Sequence, residues 1–320
     1  MNFELAPLEG VTTYIFRNAF VRHFGGVDTY FAPFVSPHQD KTLNSKERRD
    51  LLPENNEGIH LIPQILTASV DDFLSTAKDI EAMGYTEVNL NAGCPSGTVT
   101  SKSKGAGMLI DPEKLERFLD GIFEKCTMKI SVKTRIGFDS PEEWEDIQKV
   151  YEKFPIEELI IHPRVRQDFY KNKPSRETFA QAFTSMDMSL SYNGDIFLQQ
   201  DIEALQQQFP TLENCMIGRG LLINPALLLE YKKERALDKA TLQAFHDEIY
   251  ENYRIMMGED RNAMFRMKEL WFYMIKSFKD ADKYAKAIRK ADKSAPYEAA
   301  VHAIFRDCDL VEPEKRRVIL

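Results

Sequence analysis

The chain has 320 residues, 42 of them Lys or Arg and 50 Asp or Glu, for a net charge of −8, and 43% are apolar. These are the proportions of a globular protein, long enough for one large domain or a large and a small one. No run of about 18 apolar residues occurs, which excludes a helical membrane span.

Phe3 to Leu8 is expected to form a strand, and Tyr14 to Phe24 a helix capped by Thr12 or Thr13 and stopped by Gly25-Gly26. Thr29 to Phe34 is the second expected strand. Ser45 to Leu52 is short, charged and poorly periodic. Ile59 to Ile65 is the third strand, followed by an amphipathic helix from Val70 to Met83 that Gly84 ends. Glu87 to Leu90 is the fourth strand, with a helix from about Pro112 to Glu124. Lys129 to Thr134 is the fifth, with a helix from Pro141 to Lys153 that carries proline in its first turn. Leu159 to His162, Ser189 to Asn193 and Cys215 to Ile217 are the last three strands. The helices expected among them are Ser175 to Phe183, Phe197 to Gln208 and Pro225 to Lys232.

Eight strands alternating with helices suit a (β/α)₈ TIM barrel, although a doubly wound sheet also alternates. The count of eight favours the barrel. So do the polar residues near the C-terminal strand ends, Glu9, Gln64, Asn89, Asn91, Lys133, His162 and Asn193, because that face of a barrel carries its active site.

Beyond about Ala236 the pattern turns all-α, with helices expected at Leu242 to Met256, Ala263 to Phe278, Tyr284 to Lys290 and Pro296 to Phe305. The expected division is a barrel over residues 1–235 and a helical domain over 236–320. Arg261 to Lys293 holds ten Lys or Arg against four Asp or Glu, a local excess of +6, so the remainder carries −14. Such asymmetry marks a polyanion-binding module on an acidic body. Lys276, Lys279, Lys283, Lys286, Lys290 and Lys293 recur at spacings of three and four. On one continuous helix they form a basic stripe, which Asp280 and Asp282 are placed to break. Phe265, Trp271, Phe272, Met274, Ile275 and Phe278 are expected in the core rather than as base-stacking platforms.

The N-terminus, Met1-Asn2-Phe3-Glu4-Leu5, lacks the regions of a secretory signal, and the four cysteines are too scattered for a zinc site or a disulfide framework. A cytoplasmic monomer without a metal is expected.

Chemistry concentrates at four places. Cys94 sits between Gly93 and Pro95 after the fourth strand, and reads either as a thiol delivered to a pocket or as an inert buried cysteine. Asn193-Gly194-Asp195 and Gly218-Arg219-Gly220 follow strands seven and eight, where barrels commonly bind phosphate. Lys133 ends a strand of small and apolar residues, as a Schiff-base nucleophile or as a cation beside an anionic ligand. His162 ends the next strand and precedes a basic loop with Arg164, Arg166, Lys171, Lys173 and Arg176; Lys102 and Lys104 would share that rim.

These segments resemble the tRNA-dihydrouridine synthases, flavoenzymes that reduce uridine in tRNA to 5,6-dihydrouridine. The resemblance runs from Ala6 to about Leu228 and more loosely through the tail. It rests on Ala6-Pro7-Leu8-Glu9-Gly10-Val11-Thr12, Asn89-Leu90-Asn91 with Gly93-Cys94-Pro95, Val132-Lys133-Thr134-Arg135, His162-Pro163-Arg164-Val165-Arg166, Asn193-Gly194-Asp195 and Ile217-Gly218-Arg219-Gly220. Leu8 replaces the family's usual Met, and Pro163 its usual Gly.

The resemblance implies FMN in the barrel mouth and NADPH as its reductant. Pro7 and Leu8 would lie against the flavin ring, with Gln64, Lys133 and His162 on its polar edge. Asn193, Gly194, Asp195, Gly218 and Arg219 would hold the phosphate. Hydride would pass from the flavin to C6 of uracil, and Cys94 would donate a proton to C5. Asn91 would sit near the base edge, with Arg135, Arg164 and Arg166 near flavin or substrate. Lys268, Lys279, Lys283 and Lys286 would contact the tRNA. Two other readings remain open at this point. One is an FMN barrel acting on free pyrimidines, like dihydroorotate dehydrogenase, which leaves the basic tail unexplained. The other is a catalytically silent RNA-binding protein, which leaves Cys94, Lys133 and His162 unexplained.

Overall fold

A computed structural model describes residues 1–37 and 42–316, so the final four residues of the expected helical domain lie outside the described residues. Among the described residues nine strands form one parallel sheet: β1 (Asn2–Leu5), β2 (Thr29–Phe31), β3 (Leu61–Ile62), β4 (Gln64–Ile65), β5 (Glu87–Ala92), β6 (Lys129–Gly137), β7 (Leu159–Val165), β8 (Leu190–Tyr192) and β9 (Asn214–Ile217). Their spatial order is β3-β2-β1-β9-β8-β7-β6-β5-β4. The two ends of that order, β3 and β4, are consecutive in the chain, separated by Pro63 alone. Proline has no N–H for a ladder bond, so it splits the expected third strand in two. The first half pairs with β2 and the second with β5, and the sheet closes into a barrel. This is the TIM-barrel architecture expected from the alternation, and the ninth strand is the mark of Pro63.

Alternation along the strands assigns each residue to one side of the wall. Phe3, Leu5, Val88, Leu90, Ile130, Val132, Leu190 and Tyr192 belong to the large core between strands and outer helices. Ala6, Phe31, Ile62, Ile160 and Met216 form a small apolar cluster inside the barrel. Glu4, Gln64, Asn89, Ser131 and Ser191 share the inward parity and are buried. The interior is therefore apolar on one side and polar on the other. Burial pushes the Glu4 and Glu158 carboxyls above the usual range, and Glu4 holds Ser191 Oγ at 2.7 Å.

Several strands run further than their apolar patterns suggest. β5 continues through Asn91 and Ala92, β6 through Arg135 to Gly137, and β7 through Pro163 and Arg164 to Val165. Strand pairing therefore reaches into the residues that carry polar groups to the mouth. Ser45–Leu51, poorly periodic in sequence, is helical because Asn44 and Glu47 make a reciprocal capping box.

The C-terminal region is helical, with Lys239–Met257, Asp260–Met274, Asp282–Lys290 and Ser294–Asp307. Phe245 packs edge-on against Phe16 and Phe24 of the barrel's first helical layer at 5.5 and 5.3 Å. Buried His246 and Trp271 both hydrogen-bond the Tyr297 hydroxyl, at 2.8 and 3.0 Å, and tie three of these helices together. The helix expected to run to Phe278 ends at Met274. A short 3-10 turn, Ile275–Ser277, follows, then extended Phe278 and left-handed Asp280 at φ 51°. The lysines from 276 to 293 therefore do not form one continuous stripe.

Candidate active site

The C-terminal ends of the strands surround a cavity of about 290 Å³. Ala6, Pro7 and Leu8 after β1 form one wall. Asn91, Gly93, Cys94 and Pro95 stand opposite, Lys133, Arg135 and His162 lie along the floor, and the loops after β8 and β9 complete the rim.

The Cys94 wall is built from amides. Asn91 Oδ1 accepts the backbone N–H of Gly93 at 3.1 Å and of Cys94 at 2.9 Å, an Asx-type turn that ends the strand and presents the thiol. Asn91 Nδ2 donates to Gln64 Oε1 at 2.8 Å, Gln64 Nε2 to Asn89 Oδ1 at 2.7 Å, and Asn89 Nδ2 to Ser131 Oγ at 3.0 Å. Gln64 is fully buried behind the cavity and touches it through Asn91. Behind Cys94, Gly105 adopts φ 56°, and a Cβ there would lie 2.8 Å from the Cys94 carbonyl oxygen. Only glycine lets this loop close against the cysteine. Burial pushes the Cys94 thiol above its ordinary value of 9.0, against a backbone hydrogen bond with Ser96 that favours the thiolate. The group stays protonated at neutral pH, which suits a proton donor better than a nucleophile.

Lys133 Nζ donates to Asn193 Oδ1 at 2.7 Å, and Asn193 in turn donates to the Met216 carbonyl at 2.8 Å. The ammonium thus meets an amide oxygen, and carries no ion pair among the described residues. Burial, reinforced by the Arg135 charge, lowers its pKa to about 7. His162 Nε2 accepts from Arg164 Nη1 at 3.0 Å, which leaves the proton on Nδ1. Burial and the cations Arg135, Lys133, Arg164 and Arg219 keep this ring neutral.

Asp195 joins two arginines. It takes a bidentate pair from Arg164 at 3.0 and 2.6 Å and one bond from Arg219 at 2.6 Å. The Arg219 guanidinium lies 4.3 Å from the Tyr170 ring centre and 5.3 Å from that of Phe197, facing the cavity. Arg135 bonds the carbonyls of Gly93, Val165 and Phe169 at 3.0, 2.8 and 2.9 Å. Arg166 bonds the Pro95 carbonyl at 3.1 Å and stacks between Phe138 and Phe169. A buried guanidinium must satisfy its donors internally, so Arg135 and Arg164 chiefly position loops, and half-buried Arg166 ties its loop to Pro95.

Residues 4–308 match the family model for dihydrouridine synthase. The chain belongs to the dihydrouridine synthase family. A Staphylococcus epidermidis protein named "Probable tRNA-dihydrouridine synthase" is 28% identical over 261 residues, covering 78% of each chain. A Bacillus subtilis protein, "Probable tRNA-dihydrouridine synthase 2", is 26% identical over 258 residues, again covering 78% of each. Among solved structures, the old yellow enzyme homologue of Zymomonas mobilis superposes with a TM-score of 0.54 at 13% identity, over 74% of this chain and 90% of that one, a likeness of fold. The protein is thus an enzyme of a flavin oxidoreductase family.

In this dihydrouridine synthase two aromatic residues that the sequence reading did not single out complete the mouth. Tyr170, 42% exposed, covers Arg219 and lies 6.0 Å from the His162 ring. Tyr273 arrives from the C-terminal helix Asp260–Met274. The basic loop around Arg164 pointed to the first. Nothing local in the tail pointed to the second.

The four tail lysines have different surroundings. Lys268 caps the end of helix Asp282–Lys290 through the Ala291 and Arg289 carbonyls, and Lys279 pairs with Glu312. Lys283 lies 4.5 Å from the Tyr284 ring centre, and Lys286 is exposed beside a groove. Phe265 and Phe272, expected in the core, are 42% and 60% exposed. Ala263, Met264, Met267, Leu270, Trp271 and Met274 occupy the core-facing side of their helix and leave these two rings outside. No helix of the described residues is long and apolar enough to cross a membrane.

Proposed function

We propose that the protein reduces uridine in tRNA to 5,6-dihydrouridine, with FMN in the barrel mouth and NADPH as reductant. The observation that carries this reading is a thiol, on Cys94, facing a cation-lined floor across one cavity, where burial favours its protonated form. The residues suit FMN. Ala6, Pro7 and Leu8 offer an apolar face, and Lys133 is a cation whose contact is an amide oxygen rather than a carboxylate. Gly194 and Gly218 bring bare backbone to the rim beside Arg219.

Pro7 and Leu8 would pack against the ring, and Lys133 with His162 Nδ1 would face its polar edge. Gln64 would act one step removed, by holding Asn91. Asn193, Gly194, Gly218 and Arg219 would hold the phosphate, with Asp195 aiming the arginine. FMN held by these residues would supply the hydride chemistry, delivered at C6 of the uracil. Cys94 supplies the proton to C5 and is reprotonated from solvent, so that one hydride and one proton saturate the double bond. Asn91 Nδ2 donates one proton to Gln64 and, among the described residues, keeps the other for a base carbonyl. Residues 1–235 would form the catalytic unit and the helical remainder would hold the tRNA, in a cytoplasmic monomer.

The test is incubation of purified protein with FMN, NADPH and unmodified tRNA, followed by nucleoside mass spectrometry. Dihydrouridine at defined positions is expected from the wild type and not from Cys94→Ala. Equal turnover of free uridine or orotate derivatives would replace this reading with the free-pyrimidine one.

A further inference from the structure

The exposed side of helix Asp260–Met274 is not an ordinary solvated face. Arg261, Phe265, Lys268, Phe272 and Lys276 succeed one another at spacings of four, three, four and four, which places them on one side of the helix and its 3-10 extension. Cations and aromatics alternate along that line. The Phe265 ring has Arg261 at 5.2 Å and Lys268 Nζ at 4.6 Å from its centre. Phe272 is 60% exposed and meets Tyr273 edge-on at 5.1 Å. Tyr273 itself lines the barrel mouth, so the stripe begins one ring contact from the active site.

Beside Phe272 lies a groove of about 450 Å³ between this helix and Asp282–Lys290. Lys276, Lys286 and Arg289 line it with exposed side chains in no ion pair among the described residues. Asp282 is the carboxylate on its wall.

We infer that this stripe and groove bind an unpaired stretch of RNA next to the nucleotide in the barrel mouth, with bases stacked on Phe272 and Phe265 and phosphates drawn by Lys276, Lys286 and Arg289. The inference rests on the tRNA reading and names the part of the substrate that the tail holds. Aromatic rings interleaved with cations in a positive groove are the arrangement that takes single-stranded nucleic acid, because every base offers a face for stacking. Protein partners are the poorer match, since lysine is depleted at the cores of protein interfaces. A second copy of this chain would set three unpaired cations against their own counterparts. The local charge of +6 in a chain of −8 complements a polyanion.

The experiment measures binding of the full chain, by fluorescence anisotropy, to unmodified tRNA, to labelled oligouridine and to a blunt RNA duplex. Phe265→Ala with Phe272→Ala is expected to weaken tRNA and oligouridine binding about tenfold or more, as loss of base stacking does. Duplex binding, the salt dependence and the melting temperature should stay as in the wild type, and Phe272→Trp should bind at least as tightly as Phe272. Lys286→Glu with Arg289→Glu should lower the salt slope by about two, one for each phosphate contact. Unchanged tRNA affinity in the double alanine variant overturns the inference, as does a wild-type dimer that this variant dissociates. If that variant still binds and reduces tRNA like the wild type, only the platform falls. If the wild type itself does not bind tRNA, the proposed function falls with it.

Discussion

Asn91 Oδ1 accepts the backbone N–H of Cys94 at 2.9 Å, so the cysteine at the barrel mouth is aimed by the side chain three residues before it. That oxygen is itself oriented, because Asn91 Nδ2 is committed to Gln64 at 2.8 Å and Gln64 to Asn89 at 2.7 Å. Three amides in one head-to-tail run leave little freedom to the turn that carries the thiol.

Gln64→Leu should therefore act at a distance. It unpairs Asn91 and Asn89 in a buried site, at about 1–3 kcal/mol for each unsatisfied group. The expected outcome is a lower melting temperature, faster alkylation of Cys94 by iodoacetamide, and turnover on tRNA reduced about 100-fold by the misplaced thiol. An unaltered alkylation rate would separate Gln64 from the turn.

The pH profile of turnover follows from the direction of the Cys94 shift. A general acid must be protonated, and burial raises this thiol above 9.0. Activity should hold through neutral pH and fall on an alkaline limb that lies above the ordinary thiol value of 9.0. Cys94→Ser should lose that limb and about 100-fold or more in rate. A limb retained by Cys94→Ser belongs to another group.

Lys133 gives a second pH dependence, in cofactor affinity. Its pKa of about 7 means that the free protein loses this positive charge as pH rises past neutrality. An anionic ligand favours the charged form, so FMN binding takes up a proton. Affinity, read from flavin fluorescence, should decline by up to about tenfold per pH unit between 7 and 9. Lys133→Met should bind more weakly at pH 7 and show no such decline.

Glu158 lies beside Glu4 inside the barrel, and its carboxyl is raised by burial and by that neighbour. The folded state then holds a proton that the unfolded state releases once pH passes the ordinary carboxyl value of 4.5. Folding stability is lost as pH climbs from there. Glu158→Gln keeps an oxygen for Asn214 and removes the titration. Its stability relative to the wild type should rise with pH above about 4.5, by at most about 1.4 kcal/mol per unit, as measured by urea denaturation across pH 4 to 8.

The tail lysines should not contribute equally to RNA binding. Lys279 is paired with Glu312, so Lys279→Ala should leave the salt dependence of tRNA binding near the wild-type slope. Lys286→Ala, at an exposed and unpaired position, should reduce it by about one. Equal effects would mean that the Lys279–Glu312 pair opens on binding.

Composition, period and turn chemistry made much of this legible. Placement at the C-terminal strand ends marked Lys133, His162 and Asn193 for the barrel mouth, and the barrel brings them to one cavity. Gly93-Cys94-Pro95 announced a turn with a thiol in it, and Gly218-Arg219-Gly220 a rim without bulk. Other features had no local sign. Nothing near Pro63 says that its two halves face different neighbours. Asp195 meets Arg164 across 31 residues of sequence.

What the sequence determined alone is which chemical groups stand at the strand ends, because alternation and glycine placement act within a few residues. The tertiary structure decided which of those groups remain free. It turned Arg135 and Arg164 inward onto carbonyls and a carboxylate, brought Tyr273 over the barrel from the far end of the chain, and left Phe272 in solvent. A helix shows its core the side that packs best against everything around it, and that choice is made by the whole fold.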